Sequence, residues 1–559
     1  MTVFKRNVYV YLVFLGILIT GLLVYPDYGF NMDEKFHRAN GFYWLKYLAE
    51  FFQINYLYEL SDLKLLSSSS FTQEPIDYLN KYGIVFDVPA ALTEIVLKLE
   101  EPIQYHQMRH LMVFIYFFLG LIFFYKLLYN RFRNIYISLI GVILFFLTPR
   151  IFGDSFQNTK DIIFITFLII SVYYYFKSLD NFDYKNIILF ALFSSVATST
   201  RIMGILLPLS LILFYFLEIL CNKKDIIKYK KIIFYFIFYF FFLYIHWPVL
   251  WENGFKEITA LIGGGIGNFV GKTGPFGFGP EFVYFNGDFH STDNIPYSYF
   301  FIWILITTPI LQLGLFFIGL GINFNNLYIN LIKIDKIKKK HTYDFWSNVS
   351  EKKDFYIFII FIIIFLALTF LDVKQYNSWR MVYFLNFFII YIAVFGINEI
   401  YKKIKNNLKI IKSLSLILLF FLIFNIYRLH LYHPYQAFYF SELLTKEYKQ
   451  KFEVDYTGLS SIDFFRSIPN LEEKKIKVGA ISWYPIWRYV ELLNETKKNN
   501  IQVLFDVKRK EADYLYTNRI YNDNIKINDK RYRIPENFIK FKELIVDDII
   551  IYEMYKKIK

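Results

Sequence analysis

The chain has 559 residues, 56% of them hydrophobic and 22% aromatic, including 66 Phe and 48 Tyr; its mean hydropathy is +0.34. So much apolar surface excludes an ordinary water-soluble domain, and the net charge of +14 (62 Lys/Arg against 48 Asp/Glu) then reads as basic residues held on one side of a membrane rather than as a nucleic-acid surface. Cys221 is the sole cysteine, which excludes an intrachain disulfide and a cysteine-built metal cluster.

A bilayer span needs about 20 apolar residues at ~1.5 Å rise each. Runs that meet or approach this length predict an α-helical polytopic membrane protein with about 11 transmembrane helices. They cover residues 8–25, 108–125, 135–147, 161–176, 186–197, 202–220, 232–250, 297–321, 354–371, 381–397 and 413–429. The first is followed by bulky Tyr25-Pro26-Asp27-Tyr28, which argues against a cleaved signal peptide. With the N-terminus inside, the inner segments hold 24 Lys/Arg in 83 residues and the outer ones 13 in 154. That bias favours this alternation, and an odd number of spans leaves the C-terminus outside.

The transmembrane domain is expected over residues 1–429, with long outer loops at 26–107 and 251–296. In the first loop Phe42, Leu45, Leu48, Ala49 and Phe52 recur at helical spacing, as do Leu92, Ile95, Val96 and Leu99. Both sets predict amphipathic helices lying in the interface, with Ser67 to Ser70 as a flexible tip. Residues 430–474 predict an adapter helix near 435–452 and a linker. Short alternating runs such as Ile476-Lys477-Val478-Gly479-Ala480-Ile481 predict a small extracytoplasmic α/β domain over 475–559. No internal repeat is visible, which disfavours an inverted-repeat transporter.

Directly after the first span comes Asn31-Met32-Asp33-Glu34-Lys35-Phe36-His37-Arg38. Two adjacent carboxylates at a membrane boundary must be paired, solvated or used. In the predicted topology other polar residues gather on the same side. They include Arg150, Asp154, Asn158, Lys160, Asp161, Arg201, His246, Asp288, His290, Lys374, Arg380, His430 and His433. A carboxylate that takes a proton from a hydroxyl and fixed positive charge that holds a phosphate are both available there. The aromatic spans supply an apolar slot for a lipid chain. Plainer roles stand beside these. Asp33-Glu34 can cap the helix starting near Lys35, Asn158 to Asp161 can form a helix N-cap, the arginines can snorkel to headgroups, and His246 can be a packed interfacial histidine.

Gly263 to Gly279 contains Gly271-Lys272-Thr273, but position 266 is Ile where a nucleotide-binding loop needs glycine; a mobile, substrate-facing loop is the better reading. The histidines read as too scattered for a metal site; no cofactor is indicated, and dependence on a divalent metal stays open.

Several segments, in order and at outer helix ends, resemble those of the GT-C fold glycosyltransferases. They are the acid pair Asp33-Glu34, Thr148-Pro-Arg-Ile-Phe-Gly-Asp-Ser-Phe-Gln-Asn-Thr-Lys-Asp161, Ala197-Thr-Ser-Thr-Arg-Ile202, His246-Trp-Pro-Val-Leu-Trp251, Ile295-Pro-Tyr-Ser-Tyr299 with Thr308-Pro309, Tyr376-Asn-Ser-Trp-Arg380 and His433-Pro-Tyr-Gln-Ala-Phe-Tyr439. Over roughly residues 1–460 the chain is similar to glycosyltransferase family 39, the relatives of protein O-mannosyltransferases and the aminoarabinose transferase. The resemblance implies an inverting transfer of a sugar from a polyprenyl-phosphate carrier to a hydroxyl on a protein, lipid or glycan, outside the inner membrane of a bacterium. It makes Asp33 the general base and Glu34 a nearby support or second acid. Arg201, Arg380 and Lys160 hold the donor phosphate, and His37, Arg150, Asn158, Asp161 and His246 are candidate substrate contacts. Two other readings compete: an oligosaccharide polymerase or ligase of the O-antigen type, and a lipid-linked sugar transporter or flippase.

Overall fold

The computed structural model describes residues 2–68, 82–180, 183–221, 226–254, 282–332, 334–335, 340–341, 344–371, 375–482, 484, 486–520 and 532–558. Among them, seven helices are long and apolar enough to cross a membrane. They are Thr2–Val24, Pro102–Phe132, Asp161–Asp180, Leu206–Leu220 with its leading 3-10 turn Ile202–Ile205, Ile310–Ile332, Val349–Phe370 and Leu408–Leu431. Ile135–Phe146 and Pro149–Gln157 make an eighth if counted as one span, bent by 68°. The bend falls at Thr148-Pro149, where the proline ring bars the preceding residue from helical geometry. The protein is therefore a polytopic helical membrane protein. Three further predicted spans, 186–197, 232–250 and 381–397, coincide with helices Tyr184–Thr200, Ile226–His246 and Leu385–Ile404, which fall outside that set.

One predicted span is corrected. Residues 297–321 are not a single helix but Tyr299–Thr307 followed by Ile310–Ile332. Pro309 lacks the amide that would continue the first helix, so the second starts just after it and runs on to Ile332.

The helix ends sort onto two sides. Arg131 pairs with Asp354, Lys353 lies 2.6 Å from Asp180, and Lys352 lies 2.6 Å from Glu218. These pairs join the C-terminal ends of three helices to the N-terminal end of a fourth, as alternating directions require. Between the two sides lies one apolar core, with Phe117, Phe145, Ile165, Leu385 and Phe387 fully buried. Helices Ile310–Ile332 and Leu385–Ile404 meet at small residues; a Cβ on Gly319 would sit 2.0 Å from the Ile392 carbonyl oxygen. Such contacts are a principal source of helix adhesion in lipid.

Among the described residues, the segment predicted as the first outer loop holds helices Glu34–Phe51, Asn55–Ser68 and Asp87–Val96. Phe42, Leu45 and Ala49 are buried as their spacing predicts, whereas Phe52 is exposed. In helix Asp87–Val96 the predicted stripe is divided: Leu92 and Val96 are exposed, as suits a face laid in the interface, whereas Ile95 packs with Ala91 against Phe42 and Leu45, and Asp87 and Glu94 are buried. The Ser67 to Ser70 tip runs from the end of helix Asn55–Ser68 into residues that are not described, and Gly263 to Gly279 lies wholly outside the described residues.

The C-terminal region carries a five-stranded sheet in the order Ile501–Val503, Ile476–Ala480, Tyr514–Thr517, Ile549–Lys557, Phe538–Val546. The first three strands are parallel and the last two antiparallel. Its core takes Phe464, Phe465 and Ile468 from before residue 475, and Phe30 from the other end of the chain. The packed unit is thus wider than the predicted 475–559. No adapter helix spans 435–452; that stretch holds only the 3-10 turn Gln436–Phe438 and the four-residue helix Lys446–Lys449. The hairpin turn at Asp547 and Asp548, both left-handed at φ 48° and 65°, docks on helix Leu408–Leu431. Asp547 accepts from Arg428 at 2.7 Å, Lys449 at 2.6 Å and the Tyr432 hydroxyl at 2.6 Å.

Candidate active site

Local geometry separates the two adjacent acids. The Asn31 amide donates to Glu34 Oε1 at 2.9 Å, and Asn31 Oδ1 accepts from the Asp33 amide at 3.0 Å. This reciprocal pair has the form of a capping box, so Glu34 takes the helix-start role. The Asp33 side chain caps nothing and keeps 44% of its surface exposed.

Asp33 begins a chain of alternating charges. Arg380 Nη2 donates to Asp33 Oδ2 at 2.8 Å, Arg380 Nε lies 3.8 Å from Asp161 Oδ2, and the other Asp161 oxygen pairs with Arg201. Four helix ends supply these groups. Asp33 follows the first span, Asp161 opens helix Asp161–Asp180, Arg201 caps the C-terminus of helix Tyr184–Thr200, and Arg380 opens the 3-10 turn Arg380–Val382 that leads into Leu385–Ile404. Desolvation pushes the Asp33 carboxyl up, but Arg380 beside it, with His37 and Arg488 further off, pulls harder, and the net value lies below the ordinary carboxylate range. Asp33 is therefore an ionised, solvent-reachable carboxylate near neutral pH. Asp161 is buried and serves as the counter-ion between two guanidiniums.

Asn158 takes the plainer of its two predicted roles. Its Oδ1 accepts from the Asp161 amide at 2.9 Å and its Nδ2 donates to Asp161 Oδ2 at 2.9 Å, which caps the helix and aims the carboxylate at the arginines. Lys160 holds its ammonium 3.3 Å from the Tyr82 ring centroid. Burial, then Arg201, pushes that amine well below the ordinary lysine value, against the pull of Asp161 and Asp33. Arg380 and Arg201 thus face Asp33 and Asp161, with the Lys160 amine beside them and the buried Asp154 carboxyl close enough to act on Arg380. Burial pushes the phenols of Tyr82 and Tyr376 up, with Arg201, Asp33 and Asp161 among the charges acting on both; both remain protonated donors at neutral pH.

The remaining sequence candidates lie apart from this chain. Glu34 is 1% exposed and turns inward, accepting from His106 Nδ1 at 3.2 Å and His110 Nε2 at 3.0 Å. The Glu34 carboxylate thus points to these two histidines, away from the Asp33–Arg380 pair. The histidine pair corrects the reading of the histidines as scattered, since His106 and His110 are four residues apart on one helix face. Among the described residues, however, no group of three or more His, Cys, Asp and Glu is arranged to hold a metal ion. His37 meets Asp87 at 3.2 Å, and Arg38 grips Glu94 through two bonds of 3.0 and 2.6 Å. Both pairs fasten helix Glu34–Phe51 to helix Asp87–Val96. Arg150 donates to the Tyr439 carbonyl at 3.0 Å and the Ser378 hydroxyl at 3.1 Å, with its guanidinium over Trp303 and Phe440. It braces the loop before Arg380 instead of facing a substrate. His246 is held between Ser195 at 3.0 Å and Ser199 at 3.2 Å, a packed histidine. Lys374 lies outside the described residues.

Three neighbours had no signal in the sequence because they come from far along the chain. Arg488 donates to the Met32 carbonyl at 3.1 Å, and Glu491 pairs with Lys35 at 2.5 Å, so the C-terminal unit clasps the segment that carries Asp33. Glu453, buried, accepts from the Ser378 amide at 2.8 Å, two residues before Arg380. An apolar groove of about 410 Å³ runs between the first span and helix Pro102–Phe132, lined by Val8, Tyr11, Leu12, Phe14, Leu15, Leu18 and Phe118; no charged residue of the site lines it.

The fold and this polar cluster define a polytopic helical membrane protein with a paired acid–arginine chain at one end of its bundle. No protein-family model matches the chain, and no curated protein is similar to it in sequence.

Proposed function

We propose that this protein is a membrane glycosyltransferase that moves a sugar from a polyprenyl-phosphate carrier to an acceptor hydroxyl, with inversion, on the extracytoplasmic side of a bacterial inner membrane. In this reading about 11 spans cross the bilayer with the N-terminus inside, and the sheet unit lies outside. The observation that carries the proposal is the chain Asp33–Arg380–Asp161–Arg201. It places a half-exposed carboxylate next to Arg380, and links it through Asp161 to Arg201, at helix ends that meet on one side.

In the transfer step the Asp33 carboxylate takes the acceptor O–H proton, and the acceptor oxygen forms a bond to the anomeric carbon. The bond from that carbon to the phosphate oxygen breaks, and the electron pair leaves on the polyprenyl phosphate. Arg380, Arg201 and Lys160 neutralise the charge that grows there. Arg380 already touches Asp33, so the same guanidinium holds the base and reaches the leaving group. The resident carboxylates hold the arginines in place before substrate arrives, which lowers the cost of reorganisation.

Asp33→Asn tests this. The variant keeps size and one acceptor oxygen but cannot take the proton. It should still fold, with a modest loss of thermal stability from the broken ion pair with Arg380, and lose about a hundredfold to ten-thousandfold in transfer, the usual worth of a positioned general base. The readout is loss of envelope glycan or glycoprotein mass in a strain carrying the variant. Full transfer by Asp33→Asn removes Asp33 as base and with it the mechanism.

A further inference from the structure

Two consecutive residues ahead of Arg380, Asn377 and Ser378, are left-handed, at φ 58° and 56°. Each non-glycine residue in that region costs roughly 1–2 kcal/mol, and such backbone persists only where its surroundings over-determine it. Successive amides in such a turn form a concave donor site that suits an anion. Here the acceptor is an internal carboxyl, Glu453, which burial pushes up to about 7 against the amides that lower it. The Ser378 amide donates to Glu453 Oε1 at 2.8 Å, and the Asn377 amide also reaches that carboxylate. The rest of the turn is tied as firmly. Tyr299 donates to the Ser378 carbonyl at 2.9 Å, Arg150 to the Ser378 hydroxyl at 3.1 Å, and Trp379 Nε1 to Thr307 at 2.9 Å. The Arg380 amide closes on the Asn377 carbonyl at 3.3 Å.

We infer that Glu453 is a positioning residue for the site: by clamping the left-handed Asn377–Ser378 turn it fixes where the Arg380 guanidinium emerges between Asp33 and Asp161. This rests on the reading of Arg380 as a phosphate ligand. Glu453 is the buried acceptor that both amides share. A lost clamp therefore releases the turn toward ordinary backbone angles and swings the side chain it carries. The bonds that Glu453 accepts come from backbone amides, so its effect on Arg380 passes through the main chain.

The test is a double-mutant cycle on the full-length protein in detergent, titrated with polyprenyl phosphate. Arg380→Ala should weaken binding about tenfold or more. Glu453→Ala should weaken it about tenfold in the native background and less than about twofold in the Arg380→Ala background, because the residue it serves is gone. Glu453→Gln, which retains an acceptor oxygen, should stay within about threefold of the native protein. Asn377→Val, which opposes the left-handed turn with a branched side chain, should mimic Glu453→Ala and serves as the second variant if that one does not fold. Unchanged affinity in Arg380→Ala overturns the phosphate reading and this inference with it. A loss in Arg380→Ala, with Glu453→Ala or Asn377→Val costing the same in both backgrounds or nothing in either, overturns this inference alone.

Discussion

At the scale of single residues, Asp33 and Glu34 are chemically alike and adjacent, yet they face different surroundings. Consecutive side chains on a helix start do not share a face, and that alone sends one carboxylate to Arg380 and the other to His106 and His110. Burial raises the Glu34 carboxyl, but donation from His110 and His106 lowers it further, and the net value is well below the ordinary one. An acid whose pKa is depressed by folding stabilises the fold above its unfolded pKa, about 4.3 for glutamate, and loses that contribution as pH falls below it. Glu34→Gln should therefore destabilise the protein by roughly 2–3 kcal/mol at pH 7, with the gap to the native protein narrowing below about pH 4. Thermal melting in detergent across pH measures this. A variant with native melting but lost transfer would instead make Glu34 a catalytic group. The sequence marked both acids and both arginines as notable, because charges at span ends are rare enough to stand out. It had no means of separating the two acids, since His106 and His110 lie more than seventy residues from Glu34, and it was equally silent on Glu453, whose role depends on a turn formed elsewhere.

At the scale of elements, periodicity carried far and local breaks less so. Phe42, Leu45 and Ala49 declared their helix and its buried face through spacing alone. The second apolar stripe declared a helix too, and in lipid an exposed apolar face is favourable, so Leu92 and Val96 point outward while Ile95 and the polar Asp87 and Glu94 point in. Pro309 lay in plain view within an apolar run; composition outweighed its missing amide in the reading of 297–321, and the structure reverses that weighting. Close packing is the least legible feature, because a glycine in a span looks the same whether it faces lipid or a helix. Gly319 faces a helix, and its absent side chain lets the Ile392 carbonyl come close. Gly319→Ala should force Ile310–Ile332 and Leu385–Ile404 apart and cost about 1–3 kcal/mol, the usual range for overpacking. Gly314 on the same helix is the control, because a Cβ added there would meet nothing within 4 Å. Gly314→Ala should leave melting unchanged or raise it slightly, since alanine is the better helix former.

At the scale of the whole molecule, the C-terminal sheet is joined to the bundle at two places far apart in sequence. One is the Asp547 turn on Arg428, Lys449 and Tyr432. The other is the clasp of Arg488 and Glu491 on Met32 and Lys35, next to Asp33. The first sets the placement of the second, because the strands Phe538–Val546 and Ile549–Lys557 that flank the turn also build the sheet against which Phe30 packs. Burial raises the Asp547 carboxyl, but Arg428, Lys449 and Tyr432 bring it down to about 2, so the dock holds across the neutral range and weakens only in strong acid. Asp547→Ala leaves Arg428 and Lys449 without their shared acceptor and should loosen the sheet from the bundle without unfolding either. Hydrogen exchange in segments 30–35 and 484–491 should rise together, while exchange in helix Asp161–Asp180 stays at the native level. If the clasp matters for chemistry, transfer falls in the same variant even though Asp33, Arg380 and Arg201 are untouched. Native exchange in segment 30–35 alongside a loosened hairpin would mean that the acid-bearing segment is held by the bundle alone, and the sheet unit would then have no part in shaping the site.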